Sequence, residues 1–186
     1  DSGTGWLVSP EYVLTAYHCL GKETAKGTSV NVSFGIGESA SRHSAILAAF
    51  DVDLDVCLLK LQERSMNEPV PLNIGSPRPG ERWFAFGYPV VKLQLGQVLQ
   101  GTVQQTLNEL AYGVDLDLSV SPESILTDYR GMSGSALMTA DGCQGMLRVS
   151  VDNAIGAVSM TQLRQFLTTN GVFTEAPTSE EHTSLF

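Results

Sequence analysis

Basic residues are in short supply: 11 Lys and Arg stand against 20 Asp and Glu, a formal charge of −9, and the sequence pI is about 4.7. A chain this acidic, with no basic cluster, repels nucleic acid phosphates and acidic lipid, so neither is expected as a partner. Long apolar runs are missing as well. None approaches the roughly 18 residues of a membrane helix, and the longest, such as Val56 to Leu61, are strand length. Histidine appears three times; His43 and His182 have no Cys, Asp or second His at ligand spacing, so no metal is expected. The string Phe34-Gly35-Ile36-Gly37 lacks the third glycine and the following helix of a phosphate-binding loop, and no cofactor is expected either. The three cysteines, Cys19, Cys57 and Cys143, are odd in number and cannot all pair.

What is present is a chain of 186 residues, 42% hydrophobic, with mean hydropathy near zero. That is enough for one good core, or two smaller ones sharing an interface. Short apolar runs separated by turn residues fill the first half: Gly5 to Val8, Tyr12 to Ala16, Val30 to Phe34, Ser44 to Phe50, Val56 to Leu61 and Arg82 to Tyr88. Six strands at this spacing predict a small barrel, with Ser9-Pro10-Glu11 and Pro77-Arg78-Pro79-Gly80 as turns. A second set follows: Gln97 to Leu107, Ala111 to Val120, Ser135 to Thr139, Cys143 to Val151 and Ala154 to Val158. Asp115 to Val120 alternates with period two, as a strand with one buried face does. Ser159-Met160-Thr161-Gln162 predicts a helix N-terminus, Leu163, Phe166 and Leu167 its apolar stripe, and Asn170-Gly171 its stop. Residues 1–90 and 91–174 are thus expected to form two barrels in tandem, the second closed by the helix, and the Thr/Ser/Glu-rich residues 175–186 a tail or linker.

Three segments carry chemistry in a fixed order: Thr15-Ala16-Tyr17-His18-Cys19, then Asp55-Val56-Cys57-Leu58-Leu59-Lys60-Leu61, then Gly131-Met132-Ser133-Gly134-Ser135. A serine hydroxyl is a poor nucleophile at neutral pH; it needs a base within hydrogen-bond reach and a carboxylate to hold that base in the right tautomer. His18, Asp55 and Ser133 offer these. Asp51 and Asp53 compete with Asp55, and Ser135 is the rival nucleophile. From Gly3 to about Asn170 the chain resembles the trypsin-like serine proteases of the chymotrypsin fold, matching T-A-x-H-C, D-[IL]-A-L-[LI]-K-L and G-x-S-G-[GS] in the family's order.

The resemblance implies an all-β fold of two six-stranded antiparallel barrels with a C-terminal helix, His18 and Asp55 on the first and Ser133 on the second. It implies a serine endopeptidase acting through an acyl-enzyme, with the amides of Gly131 and Ser133 as oxyanion donors. Thr127 and Asp128 should line the first specificity pocket, where Asp128 favours a basic side chain while Arg130 and Arg148 favour acidic ones; Leu147, Arg148 and Val149 should pair with an extended peptide. Met132 stands where animal trypsins carry the Asp that pairs with a freed N-terminus, so that activation route is excluded and bacterial, disulfide-free members are the nearer likeness. The cysteine that bonds the one after the His in secreted members is absent from Asp1 to Gly5, which points to a reducing compartment, the cytoplasm. A start at Asp1, with neither Met nor signal peptide, reads as a processed product or excised module of a larger protein with a regulatory domain or partner. Two other readings stand beside the protease: a silent chymotrypsin-fold module that binds peptides, and a latent protease with a single target, activated by a partner.

Overall fold

The computed structural model describes residues 3–21, 23–35, 40–93, 95–149 and 154–173; the tail expected over 175–186 and His182 lie outside them. Eleven strands and one helix follow in order: β1 (Gly5–Ser9), β2 (Tyr12–Ala16), β3 (Ser29–Phe34), β4 (Ser41–Asp51), β5 (Val56–Leu61), β6 (Arg82–Gly87), β7 (Gln97–Ala111), β8 (Val114–Val120), β9 (Ala136–Thr139), β10 (Gly142–Val149), β11 (Ile155–Ser159) and α1 (Met160–Thr169).

The first sheet has five strands in the order β1-β2-β5-β4-β3, and the second is a closed barrel in the order β10-β11-β8-β7-β6-β9. The expected six-stranded first barrel is therefore corrected to a five-stranded half-barrel. Its sixth member, Arg82 to Tyr88, opens the second barrel instead, where β6 pairs with β7 and touches β9. The reason lies in its buried face: Trp83, Ala85 and Gly87 alternate inward, and Trp83 and Ala85 pack with Leu99, Leu116, Met132 and Leu137 of the second barrel. Linear spacing announces a strand but not which sheet completes its burial. A cleft of about 480 Å³, reached from Val13, Val30, Val32 and Cys19, lies along the inner face of the half-barrel.

One core joins the two sheets. Leu14, Ala16, Val56 and Leu58 from the first pack with Cys143, Met146 and Val158 from the second and with Met160, Leu163, Phe166 and Leu167 of α1. Burial of these apolar side chains fixes β2 and β5 against β10. The helix starts at Ser159, whose Oγ accepts from the Gln162 N–H at 3.4 Å and donates to Asp115 Oδ2 at 2.5 Å, while the Ser159 N–H donates to Asp115 Oδ1 at 2.7 Å. Burial raises the Asp115 carboxyl above its ordinary range despite these donors. Asp115→Ala strands two buried donors of Ser159 and should lower stability by about 1–3 kcal/mol, read as a lower urea midpoint at unchanged slope.

Candidate active site

His18 sits in a single 3₁₀ turn, Tyr17–Leu20, that ends β2, and Asp55 lies immediately before β5. The β2–β5 ladder pairs Ala16 with Val56, which brings the two residues side by side although 37 positions separate them. Asp55 adopts φ +52, a left-handed conformation that Asp tolerates better than most residues. Its main chain and side chain then grip the turn together: its carbonyl accepts from the Tyr17 N–H at 3.0 Å, Oδ1 accepts from the His18 N–H at 2.9 Å, and Oδ2 meets His18 Nδ1 at 2.5 Å. Of its rivals, Asp51 is spent on the β4–β5 turn, where Oδ1 accepts from the N–H groups of Asp53 and Leu54, and Asp53 is exposed.

Ser133 comes from the tight loop before β9. Gly131 there has φ +95, open to glycine at little cost. Thr4 ties this loop to the first sheet: its N–H donates to the Ser133 carbonyl at 3.1 Å, its Oγ1 donates to the Gly131 carbonyl at 2.8 Å and accepts from the Tyr88 N–H at 2.9 Å. Thr15 Oγ1 in turn donates to the Thr4 carbonyl at 2.6 Å. Cys19 Sγ lies 3.7 Å both from the Ser133 carbonyl and from His18 Nε2. Among the described residues the Gly131 and Ser133 N–H groups donate to no protein acceptor, and no hydrogen bond joins His18 Nε2 to Ser133 Oγ. That hydroxyl accepts instead from the Val149 N–H at 3.2 Å.

The other singled-out residues divide. Ser135 is fully buried beneath the loop, and Met132 is packed in the second core. Thr127 is exposed, and Asp128 forms a two-point ion pair with Arg130, Nη2 to Oδ2 at 2.6 Å and Nε to Oδ2 at 2.9 Å. Leu147 points into the second core, with its N–H donating to the Ser135 carbonyl and its carbonyl accepting from the Gly134 N–H. Arg148 reaches back to the first sheet, where Nη2 stands 2.9 Å from Asp55 Oδ2. Sequence reasoning had set Arg148 beside the substrate and did not single out Thr4. A threonine preceding the first strand has no signal in its periodicity, because its partners lie 84 and 127 positions away.

A family model described as a trypsin-like peptidase domain matches residues 3–143. The chain belongs to the trypsin-like peptidase family. Membership makes it a serine endopeptidase by class, a hydrolase. Mouse cathepsin G (Mus musculus) is 24% identical over 198 residues, covering 88% of this chain and 71% of that protein. Among solved structures, the serine endoprotease from Yersinia pestis superposes with TM-score 0.65 at 23% identity, over 91% of this chain and 57% of that one. The Rv3671c protease in an inactive form superposes with TM-score 0.64 at 19% identity, over 91% and 83%. The chain thus spans little more than half of the Yersinia structure. Both likenesses concern the trypsin-like fold.

Charge sets the state of the pair in this trypsin-like peptidase. The hydrogen bond that His18 donates to Asp55 raises the imidazole pKa from 6.5 to about 10, with the Cys19 contact adding to it. Burial alone would raise the Asp55 carboxyl, but the His18 hydrogen bond and the Arg148 charge outweigh it and hold it below its ordinary value. Cys57, next on β5, is pushed up to about 12 by burial and stays a neutral thiol. Because the imidazolium is favoured in the folded state, His18's contribution to stability is full below its unfolded value and fades as pH rises through about 10, while that of Asp55, held below its ordinary value, is lost as pH falls through its own folded range. Asp55→Asn should bring the His18 midpoint, followed by proton NMR, back toward 6.5; a midpoint unmoved by the substitution would refute this cause.

Proposed function

We propose that the protein hydrolyses peptide bonds with Ser133 as nucleophile, His18 as general base and then general acid, and Asp55 as the carboxylate that orients the imidazole. The observation that carries this reading is the His18–Asp55 contact on the first sheet, next to a glycine-bounded serine loop pinned to the same sheet through Thr4. In the reaction Ser133 Oγ attacks the scissile carbonyl as His18 Nε2 takes its proton. The tetrahedral oxyanion draws on the Gly131 and Ser133 N–H groups; the C–N bond then breaks and His18 returns the proton to the leaving amine. Water, deprotonated by the same imidazole, then attacks the acyl carbonyl; the ester bond to Ser133 Oγ breaks, His18 returns the proton to Oγ and the acid product leaves. No metal or cofactor enters this scheme.

The hydrogen bond from Val149 to Ser133 Oγ favours a latent form of the enzyme, activated when a peptide or a partner draws the hydroxyl toward His18. Three buried free thiols support a reducing compartment, the cytoplasm, and a bacterial-type module of a larger regulated protein fits the same reading. Intact-mass measurement after a fluorophosphonate probe tests it. Wild type should gain one adduct, and Ser133→Ala and His18→Ala should lose it, with peptide turnover down by at least about 10³-fold in each. The acylation rate should climb with pH through the His18 midpoint, because only the neutral imidazole accepts the serine proton. A folded wild type with no adduct, alone or with lysate added, would leave the silent peptide-binding module as the better account.

Specificity gives a separate prediction. Asp128 is already neutralised by Arg130, so Arg130→Ala should free it and raise kcat/KM for peptides with Lys or Arg before the cleaved bond. The gain over small aliphatic residues should be at most about fivefold, as an exposed pair allows. Cleavage only after small aliphatics in both forms would remove Asp128 from the pocket.

A further inference from the structure

Resting on the hydrolytic reading above, we infer that Arg148 is a positioning residue of this site: it fixes the Asp55 carboxylate and weakens that carboxylate's pull on His18. Arg148 extends from β10 of the second barrel, and its Nη2 stands 2.9 Å from Asp55 Oδ2, the same oxygen that meets His18 Nδ1. Its Nη1 donates to the Gly113 carbonyl at 2.6 Å. Gly113 belongs to the two-residue turn joining β7 to β8, where Tyr112 has φ +53 and Gly113 φ +79. A Cβ on Gly113 would lie 2.2 Å from Nη1, so the guanidinium rests where only a glycine leaves room.

The contact is not a solvent-screened surface pair. The side chains are 23% and 9% exposed, and charges sheltered this far are screened less than a surface pair. An arginine whose two terminal nitrogens are spent on Asp55 and on a main-chain carbonyl is tied down at both ends, unlike one waiting for an acidic substrate. The titratable groups around the pair are Cys19 on the turn after β2, Cys57 on β5 and Arg148 on β10, and the permanent charge among these is Arg148. The His18 hydrogen bond and the Arg148 charge meet on one carboxylate oxygen and divide its negative potential. A proton added to His18 also meets the fixed guanidinium charge across that oxygen. Both effects make the imidazole release its proton more readily than it would beside Asp55 alone.

The test is a proton NMR titration of His18, its signal identified by loss in His18→Ala, in the wild type and in Arg148→Gln and Arg148→Lys, beside the pH profile of probe acylation. Arg148→Gln is expected to move the His18 midpoint up by about one pH unit, with the acidic limb of the profile moving with it. Arg148→Lys, which keeps the charge, should stay close to wild type. A midpoint unmoved in folded Arg148→Gln, or an acylation rate reduced equally at every pH, would overturn the inference. If Arg148→Gln does not fold, Gly113→Ala displaces the guanidinium instead and is held to the same two outcomes. The titration needs no turnover, so it decides the role of Arg148 even if no variant forms an adduct and the hydrolytic reading falls.

Discussion

Asp55 is a carboxylate, 6% exposed, that has to stay ionised. A bare charge in that position would cost several kcal/mol of lost hydration, and in practice the group would take up a proton. It is kept charged by the His18 N–H, the His18 ring and the Arg148 guanidinium, each from a different direction of the fold. Its own left-handed backbone and the Tyr17 N–H on its carbonyl fix where the carboxylate stands. The turn carrying His18 has its shape because Asp55 closes it, and β10 ends beside the first sheet with a cation that Asp55 receives. Asp55 and Arg148 carry opposite charges beside the same imidazole, so their effects on His18 are expected to have opposite sign.

That arrangement depends on two sheets keeping register to within a fraction of an ångström, and hydrogen bonds between exposed groups would not hold them so. The apolar contacts of Leu14, Val56 and Leu58 with Met146, Val158 and α1 do, since an interior packed near crystal density resists sliding. Thr4 adds direction to that adhesion. It reads the position of the Ser133 loop through two hydrogen bonds, receives a third from Tyr88, and reports to β2 through Thr15.

How much of this was legible in the sequence differs from residue to residue. His18 and Ser133 stand in local motifs, and local motifs survive without knowledge of tertiary structure. Asp55 was separable from Asp51 and Asp53 because the apolar run that follows it sets the strand start. The alternation of Arg82 to Gly87 gave a strand but not its sheet, since Trp83 could bury equally well against either core on pattern alone. Arg148 was visible as a cation on a strand, yet nothing local says that its side chain crosses 93 positions of sequence to reach Asp55. Contacts of that range are set by the shared core, which a single sequence encodes only jointly.

The serine then has two places to bond. In the structure its Oγ accepts from the Val149 N–H, and under the proposed mechanism its proton passes to a neutral His18. A hydrogen bond of this kind contributes about 1 kcal/mol net, so giving it up costs the loop little. A ligand that offers the Val149 N–H another acceptor, as an extended peptide main chain does, releases Ser133 Oγ from that contact. Under the proposed mechanism, peptide pairing along β10 and release of Ser133 Oγ would be a single event, because both turn on the Val149 N–H.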